Sequence, residues 1–165
     1  SKEEEMQLVQ ITLENYKKLK FNIDDDPVRP ELTLDFRLAP GREIWALVAD
    51  DEYKAAVCVA YCNEVPITVK ELDYYSQAAH QDDQHGNIAI AYTVWTKQPG
   101  AGRKLILDMI KLLEQQRVLR LVTLSPKTAM ARKFHLRNGA FIFQLNTETD
   151  NYEYKLYQEQ ETSNT

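Results

Sequence analysis

The stretch TVWTKQPGAGRKLILDMIKLLEQQ, Thr93–Gln116, decides how the rest of the chain is read. It opens strand-like, tightens around Gly100 and Gly102, and continues as a strongly periodic helix. Leu105, Met109, Leu112 and Leu113 fall at i, i+4, i+7 and i+8, one face of a helix. The glycines either make only a tight strand-to-helix turn or bring backbone N–H groups against an anion. A helix N-terminus entered through glycines offers free N–H donors and the positive end of the helix dipole. Arg103 and Lys104 add charge beside it.

Outward from this join, IAIAYTVW (Ile88–Trp95) is nearly all apolar and reads as a central strand covered on both faces. VLRLVTLS (Val118–Ser125) reads as another buried strand. KTAMARKFHLRNGA reads as a helix stopped by its Asn-Gly pair. FIFQL and YEYKLY form a hairpin, and EIWALVADDEYKAAVCVAYC forms an earlier one across Asp50–Glu52. MQLVQITL reads as a first strand. ENYKKLKFNI spaces Tyr16, Leu19 and Ile23 for a helix. Three prolines and the run Asp24–Asp26 predict loops around a short helix near Glu31–Phe36, the acidic run being a solvated turn. A helix over Val69–Ala79 is expected in the insert before the central strand. Hairpins mixed with a central β-α-β-α unit predict a mixed sheet.

The 165 residues, 44% hydrophobic and 27% charged, suit one domain with a real core. The expected limits are a domain over 1–157 and a polar, disordered tail over 158–165. The net charge of −5 gives no basic footprint for nucleic acid and weakly favours cationic partners. Cys58 and Cys62, on one face of a strand, would lie too far apart to pair, which suggests free thiols and a reducing compartment. No signal peptide and no membrane span is read in the sequence, so a cytoplasmic location is expected. The cluster HQDDQH has metal-ligand chemistry but no matching spacing, so no metal is assigned.

Three phosphate-binding patterns can be set against the glycine turn. The P-loop string is absent, and the third glycine of a dinucleotide fingerprint is leucine here. KQPGAG (Lys97–Gly102) fits the pyrophosphate loop of the GNAT N-acetyltransferases, [QR]-x-x-G-x-[GA], with lysine at its first position. TAMARKFHLRNGAF answers a second signature of that superfamily one strand later, with Ala131, Phe134 and Gly139 at family positions. From about Gly41 to Tyr157 the chain resembles that superfamily. Pro99 removes one N–H from the cradle, Thr128 stands for an asparagine, and His135 stands for the tyrosine that faces the thiolate in many members.

The resemblance implies an α/β (α+β) fold of the acyl-CoA N-acyltransferase type. Its sheet would be mixed and mostly antiparallel, with six to seven strands flanked by helices. It implies acetyl transfer from acetyl-CoA, or another acyl-CoA, to a primary amine of a small molecule or peptide. Cofactor contacts would fall on Tyr92, Thr93, Val94, Lys97, Gln98, Gly100, Ala101, Gly102, Arg103, Thr128 and Arg132. The backbone of Tyr92–Val94 would hold the oxyanion. His135 is the candidate acid toward the departing thiolate, as imidazolium or as a neutral N–H donor. Glu71 is the candidate base. The alternative is a catalytically weak or inactive acyl-CoA sensor or interaction module. A nucleotide-modifying enzyme on the same fold is a weaker third reading. Homodimerisation through a sheet edge or the last hairpin is left open.

Overall fold

The computed structural model describes residues 5–82 and 85–157. Asp83 of the HQDDQH cluster and the 158–165 tail lie outside the described residues. Eight strands and four α-helices follow one another: β1 (Gln7–Ile11), α1 (Leu34–Arg37), β2 (Arg42–Ala49), β3 (Glu52–Cys62), α2 (Val69–Gln81), β4 (Ile88–Thr96), α3 (Ala101–Gln115), β5 (Arg120–Thr123), β6 (Ser125–Pro126), α4 (Ala129–Arg137), β7 (Phe141–Leu145) and β8 (Thr149–Tyr154). All the strands join one sheet in the order β1-β2-β3-β4-β5-β8, with β6 and β7 both on β8. Only Leu124 separates β5 from β6, and both pair with β8, so the sheet has seven lines of strand. The β4–β5 pair is parallel and every other pair is antiparallel, as expected.

The β2–β3 hairpin turns on Asp50 and Asp51, both at positive φ (54° and 59°). That is the tight two-residue geometry whose twist matches flanking strands. The turn is therefore one residue shorter than Asp50–Glu52, and Glu52 pairs with Ala49. From Ala55 to Cys62 β3 is buried at every residue. Helix α3 covers one face with Leu105, Ile106, Met109 and Leu113, each fully buried side chain contributing roughly 1.5–3 kcal/mol. The other face lies under α1, α2 and the segment before them, with Leu72 from α2 and Phe21 and Leu32 from that segment. Cys58 and Cys62 are free thiols buried on this face, and burial pushes both up to about 12.

Two expectations fail in the first third. Over residues 14–23 the α-helix is absent: turns run to Lys20, and Ile23 begins a short 3-10 helix, Ile23–Asp25. The Asn15 side chain accepts from the Thr12 N–H and donates to the Gln10 carbonyl, and Lys20 takes positive φ, which breaks the ladder. Tyr16, Leu19 and Ile23 still pack on the core, so the buried face was read correctly. The acidic run is not a solvated turn throughout. Asp24 and Asp25 are exposed, but Asp26 is only 2% exposed and ion-paired to the fully buried Arg37. Among the described residues no helix is long and apolar enough to cross a membrane.

Candidate active site

Strands β4 and β5 pair in register only as far as Ala91↔Thr123. On its other side β4 carries an extra residue, Tyr92, where the register jumps between Val59↔Ala91 and Cys58↔Thr93. Such a bulge bends a strand and re-aims its backbone. The last β4–β5 bond runs from the Leu124 N–H to the Ala91 carbonyl at 2.9 Å. In a continued parallel ladder the next donor on the β5 line would be Pro126, which has no N–H. The strands therefore separate, and a cleft of about 450 Å³ opens between them.

Thr93, Val94 and Trp95 form one wall; Ser125, Pro126 and Thr128 form another; Phe134 and His135 of α4 close it, with Pro27 and Val28 at one end. Met130, 77% exposed, stands at the rim. Thr128 caps α4, its hydroxyl accepting from the Ala131 N–H at 3.1 Å. It does there what a capping asparagine would do.

The glycine turn abuts this cleft. Gly100 sits at φ +83° as the N-cap of α3. A Cβ on Gly102 would lie 2.7 Å from Phe134 and 3.0 Å from Thr96, both cleft residues. Gly102 is thus required for close approach of α3 to the cleft wall. In the first turn the Ala101 N–H bonds to Gln98 and the Lys104 N–H to Gly100. Among the described residues, the N–H groups of Gly102 and Arg103 have no backbone acceptor. They are the unpaired donors that a helix N-terminus leaves, the kind of group an anion can meet.

His135 is 5% exposed, and burial lowers its pKa to about 4. It is neutral at pH 7, the second of the two forms considered for it, and not the imidazolium. Its Nδ1 lies 2.7 Å from the Tyr154 hydroxyl. Burial raises the Tyr154 pKa, so that hydroxyl keeps its proton and is able to donate it to Nδ1. With the hydroxyl as donor the ring proton sits on Nε2, one neutral N–H donor. The ring stacks on Tyr152 at 5.4 Å between centroids. Nearby, the Ser125 hydroxyl donates to Thr123 Oγ1 at 2.9 Å, leaving its oxygen free to accept.

Beneath the splay lies a buried charge network. Asp26 pairs with Arg37 at 2.7 Å and meets the Thr93 hydroxyl at 2.9 Å. Arg29 reaches the carbonyls of Tyr92 and Leu124. One carboxylate therefore faces two buried guanidiniums.

Of the sequence candidates, Tyr92, Thr93, Val94, Thr128 and His135 line the cleft; Gly100, Ala101, Gly102 and Arg103 start α3, with Gly102 packed on the cleft residues Phe134 and Thr96. Gln98 contributes its carbonyl to the turn. Tyr92 presents its ring to the opposite face, against Phe36, and its hydroxyl has no hydrogen-bond partner. Three candidates lie elsewhere. The Lys97 ammonium sits 4.5 Å over the Tyr53 ring and 4.0 Å from Asp25, turned away from the cradle. Arg132 is exposed on α4 and does not line the cleft. Glu71 does not line the cleft: it accepts from the Ile67 N–H at 2.9 Å and closes the start of α2, which Thr68 caps. His85 packs on Tyr61 at 3.9 Å, a structural contact. Sequence reasoning missed Ser125, Arg29 and Asp26. Ser125 stood in a strand, and the other two act through partners far along the chain.

No family model and no curated relative matches the sequence. Solved structures do match. The chain is similar to malonyl-CoA decarboxylase from Rhodopseudomonas palustris, with TM-score 0.70 and 18% identity over 93% of this chain and 61% of that one. It covers 34% and 35% of the malonyl-CoA decarboxylases from Cupriavidus metallidurans and Agrobacterium vitis. The chain thus spans less than two thirds of the decarboxylases it matches. It is similar over nearly full length to the PaiA N-acetyltransferase from Thermoplasma acidophilum in complex with coenzyme A, with TM-score 0.62, 10% identity, and 91% and 98% of the two chains covered. The GNAT domain of S. lividans PAT gives TM-score 0.61 and 14% identity, covering 92% and 90%. These likenesses show the fold, which is that of the GNAT acetyltransferases.

Proposed function

We propose that this domain binds an acyl-CoA between the separated ends of β4 and β5 and acts on its acyl thioester. The observation that carries the reading is the packing of the α3 N-terminus on the cleft wall, where Gly102 meets Phe134 and Thr96. The N–H groups of Gly102 and Arg103 would take the pyrophosphate, the cleft the pantetheine arm, and the β4 backbone beyond Ala91 the thioester oxygen. Neighbours of this fold were solved with coenzyme A, which supports the same substrate.

The first reaction considered is acyl transfer to a primary amine. The amine must lose a proton to attack, and its base would have to be water-mediated. Among the described residues no Asp or Glu lines the cleft. The neutral His135 would offer its Nε2–H as a hydrogen bond to the departing sulfur.

That same absence favours a second reading, decarboxylation of a carboxyl-bearing acyl-CoA. In it the bond between the carboxylate and Cα breaks, CO2 leaves, and the electron pair passes to the thioester oxygen. Cα then takes a proton and the thioester is retained. This needs a neutral, donor-lined cleft and no base. The excess of buried guanidinium over carboxylate beneath the splay favours an anionic acyl group over a cationic acceptor. The decarboxylase neighbours support the reading at the level of fold. A non-catalytic acyl-CoA module is the outcome if neither reaction occurs.

One assay separates them. Acetyl-CoA with a panel of amines should release free thiol under the first reading. Malonyl-CoA alone should release CO2 with no free thiol under the second. Binding without either product leaves the sensor reading. One domain over 1–157 and a cytoplasmic location suited to two reduced thiols complete the proposal.

A further inference from the structure

The separation of β4 from β5 is held by a side chain from outside the sheet. Past the last rung, the carbonyls of Tyr92 and Leu124 no longer have a strand partner across the gap. Both are taken by Arg29: Nε donates to the Tyr92 oxygen at 3.2 Å and Nη2 to the Leu124 oxygen at 3.0 Å. A guanidinium is a rigid planar fork, so two bonds from one fork fix the spacing of the two acceptors.

The fork is itself anchored. Asp26 Oδ1 accepts from the backbone N–H groups of Val28 at 2.7 Å and Arg29 at 3.1 Å. The Arg37 Nη2 donates to the Arg29 carbonyl at 2.7 Å, and its Nη1 pairs with Asp26. The Thr93 hydroxyl ties the same carboxylate to β4, one residue past the bulge. Asp26, Arg29, Arg37 and Thr93 are all buried. An apolar wedge could hold the strands apart but would leave two buried carbonyls unpaired. A buried charge that touches both strands and is braced by one of them is suited to setting a distance.

We propose that Arg29 is the pin that sets the width of the splay and so aims the Thr93–Trp95 backbone at the thioester. It is a positioning residue, acting through β4 and β5. The inference rests on the acyl-CoA reading for its consequence, but not for the pin itself.

Two probes distinguish the pin from general damage. Acetyl-CoA carries the pantetheine arm that would enter the splay. Adenosine 3′,5′-bisphosphate carries only the nucleotide end. In calorimetric titrations, Arg29→Gln should weaken acetyl-CoA tenfold or more and leave the bisphosphate within twofold. Arg29→Lys, which keeps the charge but loses the fork, should fall between wild type and Arg29→Gln. It also serves if Arg29→Gln does not fold. Equal loss of both ligands, or loss of neither, overturns the pin. If the wild type binds either probe too weakly to measure, amide exchange decides. The Leu124 N–H, donor of the last rung, should exchange at least tenfold faster in the variant. Unchanged exchange overturns the pin. Failure of wild-type protein to bind acetyl-CoA overturns the proposed function and not the pin.

Discussion

His135 illustrates how burial changes a residue's chemistry without changing its identity. In water its ring would titrate near 6.5. Inside the protein burial holds it near 4. The unfolded chain therefore binds a proton between pH 6.5 and 4 that the folded chain refuses. Stability from this residue is complete above pH 6.5, falls as pH drops through that window, and stops falling below about 4. The loss is on the order of 3 kcal/mol. Urea unfolding at pH 7 and pH 4.5 should show it in wild type, and a smaller pH difference in His135→Gln. Equal differences in the two proteins would contradict the buried neutral ring. The same burial predicts that His135 adds no limb near pH 6.5 to a rate profile. Glu71→Gln, by contrast, should leave turnover unchanged, because Glu71 bonds to the Ile67 N–H outside the cleft. A tenfold loss of turnover would return it to the site. Asp26 carries more weight than its exposed neighbours. Asp26→Asn leaves the fully buried Arg37 without its ion-pair partner and should cost about 3–5 kcal/mol. A loss below 1 kcal/mol in denaturant unfolding would show that the network relaxes.

The elements around the site were read with unequal success, for physical reasons. The turn into α3 was legible because two local signals coincide, glycines at the join and apolar residues at helical spacing. The α4 stop was legible because Asn138-Gly139 ends it, with Gly139 at φ +102°. The first third was not. Its buried positions repeat as in a helix, but Asn15 spends its side chain on the backbone of Gln10 and Thr12, and periodicity does not register that competition. Arg29 was illegible for another reason: its partners Tyr92 and Leu124 are 63 and 95 residues away. Lys97 was misplaced because position in a motif does not say which way a long side chain turns. The α3–α4 contact offers a sharp element-scale prediction. Gly102→Ala puts a Cβ against Phe134 and Thr96. It should cost about 1–3 kcal/mol by overpacking and weaken acyl-CoA binding. Trimming the obstacle in Gly102→Ala/Phe134→Leu should restore part of both. No recovery in the double variant would place the role of Gly102 elsewhere.

For the whole molecule, one sheet runs from Gln7 to Tyr154, and within it β4 and β5 separate beyond Ala91↔Thr123. Its parallel β4–β5 pair is the only one of its kind, and it ends where the bulge at Tyr92 and the missing donor at Pro126 meet. The helices on either face close the core, and the α3 N-terminus packs on the cleft wall at Gly102. A net charge of −5 surrounds a cleft with no acidic lining among its described residues and two arginines beneath it. The sheet class and the glycine turn into α3 were thus legible from sequence; the network beneath the cleft depends on long-range contacts. The most direct measurement is a calorimetric titration of the wild-type protein with acetyl-CoA. The splayed strands and the glycine turn predict saturable binding of one molecule per chain, lost or weakened in Gly102→Ala. No saturable binding up to millimolar acetyl-CoA would contradict the assignment of the cleft.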